Sequence, residues 1–472
     1  MRTWKAAPYV SLLAGLALGC GADADMPESS GIFDSAEVVG EQSVPLNKLD
    51  HTPIAQKELF VTDVSVVNAT SFTNYVKGKW NTDKEGGFSF GRLVDNLARV
   101  EKPTDQQRSD LVMNWLRLWE TPQTINGQII AARPRIREVL ITPWKLASVG
   151  KLGNTSSRCD ATPATDFTCK LSFGPNDVPF RLLAIVNRPD LRLVPERNDA
   201  TTGSAGQGRF VFGVLDAAKQ PLPFVIIFEY MVPVRSNSDI QGYAEKWHKL
   251  GKIPFGSKFN EALHALTLEF TKWNRAPWRN NGSALLQIRT NEVAIAEPGS
   301  DPTNPINGSM WEMREFIVGQ NGNIVVDTVK QEPPIALSGT PILSDWVNAN
   351  ASAILAGKHE VPADHMGTPF LAASSFTPFE FTWQVNGASE ELRHAFAINT
   401  CNGCHRKETN TGFLHVRNRQ AGVAATLSTA LTDELAPGGP RIEDFSDLLT
   451  TDFSKIKDGP GRDGDDDDDD DD

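Results

Sequence analysis

Phe224-Val225-Ile226-Ile227-Phe228-Glu229-Tyr230-Met231-Val232-Pro233-Val234 is a run of β-branched and aromatic residues, the composition of a strand. Similar runs stand at Val139 to Ile141, Phe180 to Val186 and Arg209 to Leu215, with Pro and Gly punctuating them. Several of the gaps are too short for a crossover helix, which predicts antiparallel neighbours rather than βαβ units. Strand patterns resume at Ala284 to Ile295, Glu312 to Val318 and Asn323 to Val329, and Leu59 to Val61 and Val64 to Val67 also read as strand material. Helical spacing marks Asp110 to Trp119, Ser238 to Gly251 and the segment from Ser257 carrying Phe259, Leu263, Leu266 and Phe270. A further helix is expected from Thr340 to Gly357, with Pro341 at its first position. The fold class is therefore α+β: an antiparallel-sheet domain with packed helices over residues 58–381, followed by a mostly helical segment. Glu229, inside the apolar run, predicts a buried ion pair with Arg188, Arg289 or Arg314. Gly203, Gly206 and Gly208 read as a hairpin turn, since no helix follows them and no Lys-Ser/Thr completes a phosphate loop.

Residues 382–455 form the second unit. Ser389 caps a helix with Glu390 and Glu391 in its first turn, and that helix runs into Cys401. Helices are also expected at Val423 to Leu431 and Phe445 to Leu449. Cys401-Asn402-Gly403-Cys404-His405 has the C-x-x-C-H spacing of covalent haem attachment. Two thiols must reach the two vinyl groups on one porphyrin edge, and the adjacent imidazole must sit under the iron. Cys401, Cys404 and His405 are thus candidate haem-binding residues. His415 is the best-placed sixth ligand, with His394 and Met366 behind it. Two other readings stand beside this one. Cys401 and Cys404 with two of His394, His405 and His415 would satisfy a tetrahedral Zn²⁺, or the two cysteines would close a disulfide staple. The segment resembles a small cytochrome c domain, in which a helix delivers the haem motif at its end. That resemblance implies electron transfer, with Arg406, Lys407, Arg417 and Arg419 near the haem propionates. The family's usual downstream Met is missing here, the last Met being Met366.

Positive Arg2 and Lys5, then apolar Val10 to Leu18, form an export signal over residues 1–19. Leu16-Ala17-Leu18-Gly19-Cys20 resembles a bacterial lipobox. The resemblance implies cleavage before Cys20, acylation there and anchoring in a lipid bilayer; the absence of Asp at position 21 favours the outer membrane. Residues 20–57 read as a flexible tether and 456–472 as a disordered acidic tail. Of the net charge of −13, nine negatives come from Asp463 and Asp465 to Asp472, leaving −4 for the rest. Such a balance lacks the basic face that nucleic-acid binding needs. Export also places Cys159 and Cys169, which share one polar loop, in a compartment where they would pair. Asn399 to His405, Thr411 to Val416, Pro179 to Arg188, Gly208 to Gly213 and Phe228 to Tyr230 resemble stretches of a group of exported bacterial lipoproteins, a resemblance that implies export and no activity.

His359, Glu360, Asp364 and His365 form a loose cluster that does not match H-E-x-x-H. His248 and His264 fall on helices, and no Ser/His/Asp set is evident. The sequence thus leads to a cell-envelope lipoprotein with one c-type haem, acting in electron transfer or redox sensing with a partner protein. The alternative is an envelope ligand- or partner-binding lipoprotein whose Cys pair is a zinc or disulfide staple. A haem open on one side would admit peroxide, which leaves an enzymatic role undecided.

Overall fold

The Phe224 run forms most of β4 (Pro221–Pro233) in an eight-stranded antiparallel sheet. Its companions are β1 (Phe60–Val61), β2 (Phe180–Arg188), β3 (Ser204–Leu215), β5 (Leu285–Glu292), β6 (Trp311–Val318), β7 (Ile324–Asp327) and β8 (Ser375–Thr377). Strands β1 to β7 lie side by side in chain order, whether joined by a short turn, as β3 and β4 are, or by long helical excursions, as β1 and β2 are. On one side of β6, β7 pairs with Glu315 to Val318 and β8 with Trp311 to Met313. The computed structural model describes residues 52–69, 73–76, 79–82, 87–195, 199, 201–293, 311–377 and 381–451. Cys20, the signal segment, most of the tether and the acidic tail lie outside the described residues.

Alternation along the strands gives the sheet two buried faces. Phe210, Phe212, Phe228, Tyr230, Ile288 and Phe316 enter the main core, while Val186, Val211, Val225 and Met313 face the other way. Over the first face pack α1 (Phe90–Leu97), α2 (Asp105–Leu116), α3 (Asn237–Leu250) and α4 (Ser257–Thr271), each burying an apolar stripe. Ser89 and Ser236 cap α1 and α3, and Thr104 with Gln107 forms a capping box on α2. The Phe90 ring lies 4.3 Å from Phe180 and 5.7 Å from Phe228, which locks α1 onto the sheet.

Around residue 350 the expected single helix is two: α5 (Pro341–Ala349) and a short helix Ala351–Leu355. Asn350 leaves helical geometry, its side-chain amide bonding the Trp346 carbonyl at 2.8 Å. The C-terminal segment contributes α6 (Glu390–Ile398), α7 (Cys401–Cys404), α8 (Thr429–Glu434) and α9 (Pro440–Thr450), with a small ladder of β9 (Val416–Arg417) and β10 (Thr426–Leu427). Helix α9 buries Ile442, Phe445, Leu448 and Leu449 in the main core. Leu414, Val416, Ala425 and Leu431 cover the second face of the sheet, against Ala184, Val186, Val211 and Val225. Burial on both faces explains why the strands read as near-continuous apolar runs. Helices α5 and α6 share a satellite core with Phe370 and Trp383.

Four local expectations are corrected. Val64–Val67 is a helix, because the Asp63 carboxylate caps it by accepting from the Ser65 amide at 2.9 Å. Val139 to Ile141 lie in a π-helical turn, Arg137–Ile141, that continues into Thr142–Ala147. There the buried set Ile136, Leu140 and Trp144 has i, i+4 spacing, and that wider period overrides the strand propensity of three residues. Gly206 and Gly208 sit inside β3, not in a turn. Gly206 has φ +112° at a bulge, and a Cβ on Gly208 would lie 2.2 Å from the Phe270 ring, so both glycines serve close approach. Finally, the helix expected from Val423 starts only after Ser428, whose hydroxyl accepts from the Leu431 amide at 3.3 Å, β10 preceding it.

Cys159 and Cys169 are joined by a disulfide with Cα atoms 4.8 Å apart. Among the described residues no helix is long and apolar enough to cross a membrane.

Candidate functional site

Helix α6 delivers the motif. The Ser389 hydroxyl accepts from the Leu392 amide at 3.2 Å, and Leu392, Phe396 and Ala397 fix the helix in the satellite core. The chain then turns at Thr400, which donates to the Ala397 carbonyl at 2.7 Å and accepts from the Gly403 amide at 3.2 Å. A Cβ on Gly403 would lie 2.0 Å from that carbonyl oxygen, so only glycine lets α7 fold back so tightly. Trp383 donates its indole N–H to the Asn402 amide oxygen at 2.7 Å and to the Thr400 hydroxyl at 2.9 Å. The two residues between the cysteines are therefore held as firmly as the cysteines themselves.

A residue that sequence reasoning missed holds the other side. The fully buried Glu332 carboxylate accepts from the Cys401 amide at 2.7 Å, the Asn402 amide at 3.4 Å and the Ser375 hydroxyl at 3.0 Å. It satisfies the first N–H groups of α7, which have no partner within the helix. Nothing in the spacing of the sequence links position 332 to position 401.

Cys401, Cys404, His405 and His415 all line one cleft of about 110 Å³ on the second face of the sheet. Its apolar wall includes Phe60, Val186, Val211, Ile227, Met313 and Leu431. Cys401 is buried with Trp311, Met313 and Phe413, whereas Cys404 is half-buried. Both retain their thiols, and no disulfide joins them.

His405 stacks on the Trp311 indole, centroids 5.0 Å apart, and its Nδ1 donates to the Phe413 carbonyl at 2.7 Å. Burial lowers its pKa to about 4, so the ring is neutral, with the proton on Nδ1 and the lone pair on Nε2. A ligand histidine in a metal site has this same arrangement, with Nδ1 tied to a carbonyl and the other nitrogen basic. His415 is neutral too: burial, and then the neighbouring His405, hold its pKa well below the usual value. Its Nε2 donates to the Cys404 carbonyl at 3.2 Å and lies 3.4 Å from the Cys404 sulfur; its Nδ1 accepts from the Ser428 hydroxyl at 2.8 Å. The two imidazoles meet edge to face with centroids 4.6 Å apart. His415 as placed is a direct neighbour of both Cys404 and His405.

The other expected ligands lie elsewhere. His394 is exposed and pairs with Glu408 at 2.5 Å, and Met366 is 82% exposed on the Asp364–Pro369 hairpin; neither lines the cleft. His359 and His365 pack against Trp346 and Phe370 in the satellite core. Among the described residues no three His, Cys, Asp or Glu side chains are grouped to hold a metal ion by themselves. His248 is buried and pairs with Glu58 at 2.8 Å. His264 is buried too, edge-on to Phe88.

The charged lining also differs from expectation. Arg419 is buried and donates to the Leu182 carbonyl at 2.9 Å and the Val423 carbonyl at 2.9 Å, while Arg406 stacks on Phe413. Neither lines the cleft, nor do the exposed Lys407 and Arg417. The cations that do are Arg188, Arg209, Arg289 and Arg441. Glu229 pairs with Arg209 at 3.1 Å and Arg289 at 3.4 Å and accepts from the Gln287 amide at 2.6 Å. Burial alone would raise its pKa, yet these partners hold it below the usual carboxylate value. Arg314, the third candidate for that pairing, lies on the opposite face with Glu312.

No family model, curated protein or solved structure matches this chain.

Proposed function

We propose that this protein is a cell-envelope lipoprotein that holds one c-type haem in the cleft beside α7 and works in one-electron transfer or redox sensing. One observation carries the reading: Cys401, Cys404 and His405 all open onto the same cleft, and His405 is neutral with Nδ1 tied to a carbonyl. The donor set fits the group. Cys401 and Cys404 would hold the group through two thioether links, and His405 through its Nε2. A haem there supplies a one-electron couple. The Trp311 ring and the Phe413 carbonyl keep the imidazole in one orientation. Glu332, Thr400 and Gly403 fix the turn that sets both thiols next to that imidazole. The pairing of a helix with the motif at its end also supports a cytochrome c-like C-terminal segment, although here it is laid across a sheet. Export, acylation at Cys20 and an outer-membrane location belong to the same reading, and the Cys159–Cys169 disulfide supports them, since such bonds persist in oxidising compartments. The electron partner would be another envelope protein.

The test is an absorption spectrum of the full chain produced with haem-maturation machinery. The expected result is the sharp α band of a reduced c-type haem, retained after acid–acetone extraction and lost in Cys404→Ala. Iron-free, colourless protein overturns the proposal. The 3.4 Å contact between Cys404 and His415 favours a second reading, a zinc or thiol staple in a partner-binding protein. Metal analysis with thiol counting decides it: zinc without iron, or an oxidised pair, supports the staple.

A further inference from the structure

We propose that Cys404 and Cys401 form a dithiol site that reduces hydrogen peroxide, with Cys404 as the nucleophile, His415 as the hydrogen-bond donor to its thiolate and Cys401 as the resolving thiol. The site uses both thiols in reduced form, so it stands apart from the haem reading and does not rest on it.

The two thiols have opposite surroundings. Cys404 is half-buried at the end of α7 and lines the cleft. His415 Nε2 lies 3.4 Å from its sulfur. That ring is held from its other edge, where Nδ1 meets the Ser428 hydroxyl at 2.8 Å and the Ser428 amide donates to the His415 carbonyl at 2.8 Å. With Nδ1 accepting from the hydroxyl, the ring proton sits on Nε2 and stabilises negative charge on Sγ by hydrogen bonding. Arg441 lines the same cleft, and its guanidinium attracts the Cys404 thiolate. Cys401 instead lies buried among Val293, Trp311, Met313, Val329 and Phe413, an apolar site in which a thiolate is disfavoured. Thiolate character and access decide which thiol an oxidant meets first, and both select Cys404.

Three positions apart on α7, the thiols are neighbours one turn from each other, with about 5–6 Å between Cβ atoms. A disulfide takes about 3.5–4.5 Å there, so a small movement of the last turn joins them. In the first step the Cys404 thiolate attacks one peroxide oxygen. An S–O bond forms, the O–O bond breaks, and the departing hydroxide takes a proton from solvent and leaves as water. The Cys401 sulfur then attacks the sulfenic sulfur of Cys404. The S–S bond forms, and the Cys401 proton leaves with the hydroxyl as a second water. Two thiols are thereby oxidised to a disulfide and one peroxide is reduced to two waters; a dithiol reductant restores the pair by exchange. At about 110 Å³ the cleft takes a molecule of a few heavy atoms, which points to hydrogen peroxide and away from bulky peroxides or disulfides.

The experiment uses the full chain made without haem-maturation machinery, reduced with dithiothreitol and then freed of it, and follows peroxide consumption and thiol loss at neutral pH. The site predicts one peroxide consumed per chain, a Cys401–Cys404 disulfide as product, and a rate roughly tenfold or more above that of free cysteine. In Cys401→Ser, dimedone should trap the sulfenic acid on Cys404. In Cys404→Ser, Cys401 should react roughly tenfold or more slowly than Cys404 does in the parent chain. His415→Phe should slow Cys404 about tenfold, and His415→Gln, which keeps an N–H donor, should slow it less. Circular dichroism melting checks that each variant is folded, and the parent rate does not depend on any variant. With rates taken relative to free cysteine, cumene hydroperoxide and glutathione disulfide should react about tenfold more slowly than hydrogen peroxide. A parent chain no faster than free cysteine, or oxidation of Cys401 ahead of Cys404, overturns the proposal. Either bulky oxidant matching hydrogen peroxide overturns the choice of substrate. All of these outcomes leave the haem reading to its own absorption test.

Discussion

Glu332 is the strongest point at which to disturb the site without touching a thiol or an imidazole. Its carboxylate accepts from the amides of Cys401 and Asn402 and from the Ser375 hydroxyl. In Glu332→Ala those two amides lose their acceptor in a place water does not reach. A hydrogen bond to a charged group contributes about 1.5–3 kcal/mol, and the longer contact contributes less, so the local cost is about 2–4 kcal/mol. Glu332→Gln keeps an oxygen for the Cys401 amide and turns its NH₂ towards Ser375, at a cost of about 1 kcal/mol. The readout is alkylation of Cys401 in the native, metal-free chain, with the half-buried Cys404 as internal reference and a urea melt to separate local opening from global unfolding. Since every 1.4 kcal/mol is tenfold, Cys401 should label roughly 30-fold faster or more in the alanine variant and only a few-fold faster in the glutamine variant. Parent-like labelling in both variants refutes the claim that Glu332 holds α7 in place.

Three further outcomes follow from the geometry. Glu292, buried with Trp119, Thr290 and Arg314 around it and Glu312 close by, has its pKa pushed up to about 7, burial being the largest cause. The folded chain keeps that proton where the unfolded chain, titrating near 4.5, has released it, so stability falls as pH rises from about 4.5 to 7. The loss is up to about 3 kcal/mol. Glu292→Gln should flatten the dependence, and urea unfolding at pH 5 and pH 8 with the same difference in both proteins would count against it. Gly403→Ala should displace α7 and abolish covalent haem attachment, because its Cβ would meet the Ala397 carbonyl. Gly242→Ala, in open space on α3, should leave attachment intact and gain about 0.5–1 kcal/mol, as helix propensity predicts. Comparison of haem content per folded protein and of melting temperature tests both, and normal attachment in Gly403→Ala would refute the packing argument.

What was legible in the chain tracks the range of the interactions. Strands such as Phe180–Arg188 and Pro221–Pro233 announce themselves because each run is apolar over its own length, and short gaps suffice to order them. The Cys401-to-His405 motif is legible because its partners are adjacent. Val139 to Ile141 misled because three β-branched and aliphatic residues look like a strand until Ile136 and Trp144 are read with them. Glu332 and Trp383, which hold the motif, lie 69 and 18 positions before Cys401, and no local pattern marks them. The arginines that meet the cleft were hidden differently. Arg209 stands within a strand run, where it registers as an interruption, and the cations beside the motif in sequence drew attention instead, although the chain turns them towards carbonyls, an aromatic ring and solvent.

The polar row beneath the motif sharpens the functional argument. Arg209 lies opposite Glu229 in the ladder of β3 and β4, and Arg289 lies opposite Glu315 in that of β5 and β6. Glu229 bridges to Arg289, so the four form a chain of charges, flanked by Gln207 and Gln287, across a sheet face that also carries Val186, Val211, Val225 and Met313. A buried ion-pair row of this kind is weak as a stabilising device, because well-packed apolar residues of similar volume usually do as well or better. Its place is not arbitrary, however. It occupies the stretch of the sheet under the cleft, where Leu431 and the α7 turn close over it. If the row served stability alone, replacing Arg209 and Glu229 together by apolar residues would leave the cleft's ligand binding unchanged. If it serves the cleft, the double replacement keeps the fold and weakens binding there, and a urea melt beside a ligand titration separates the two outcomes.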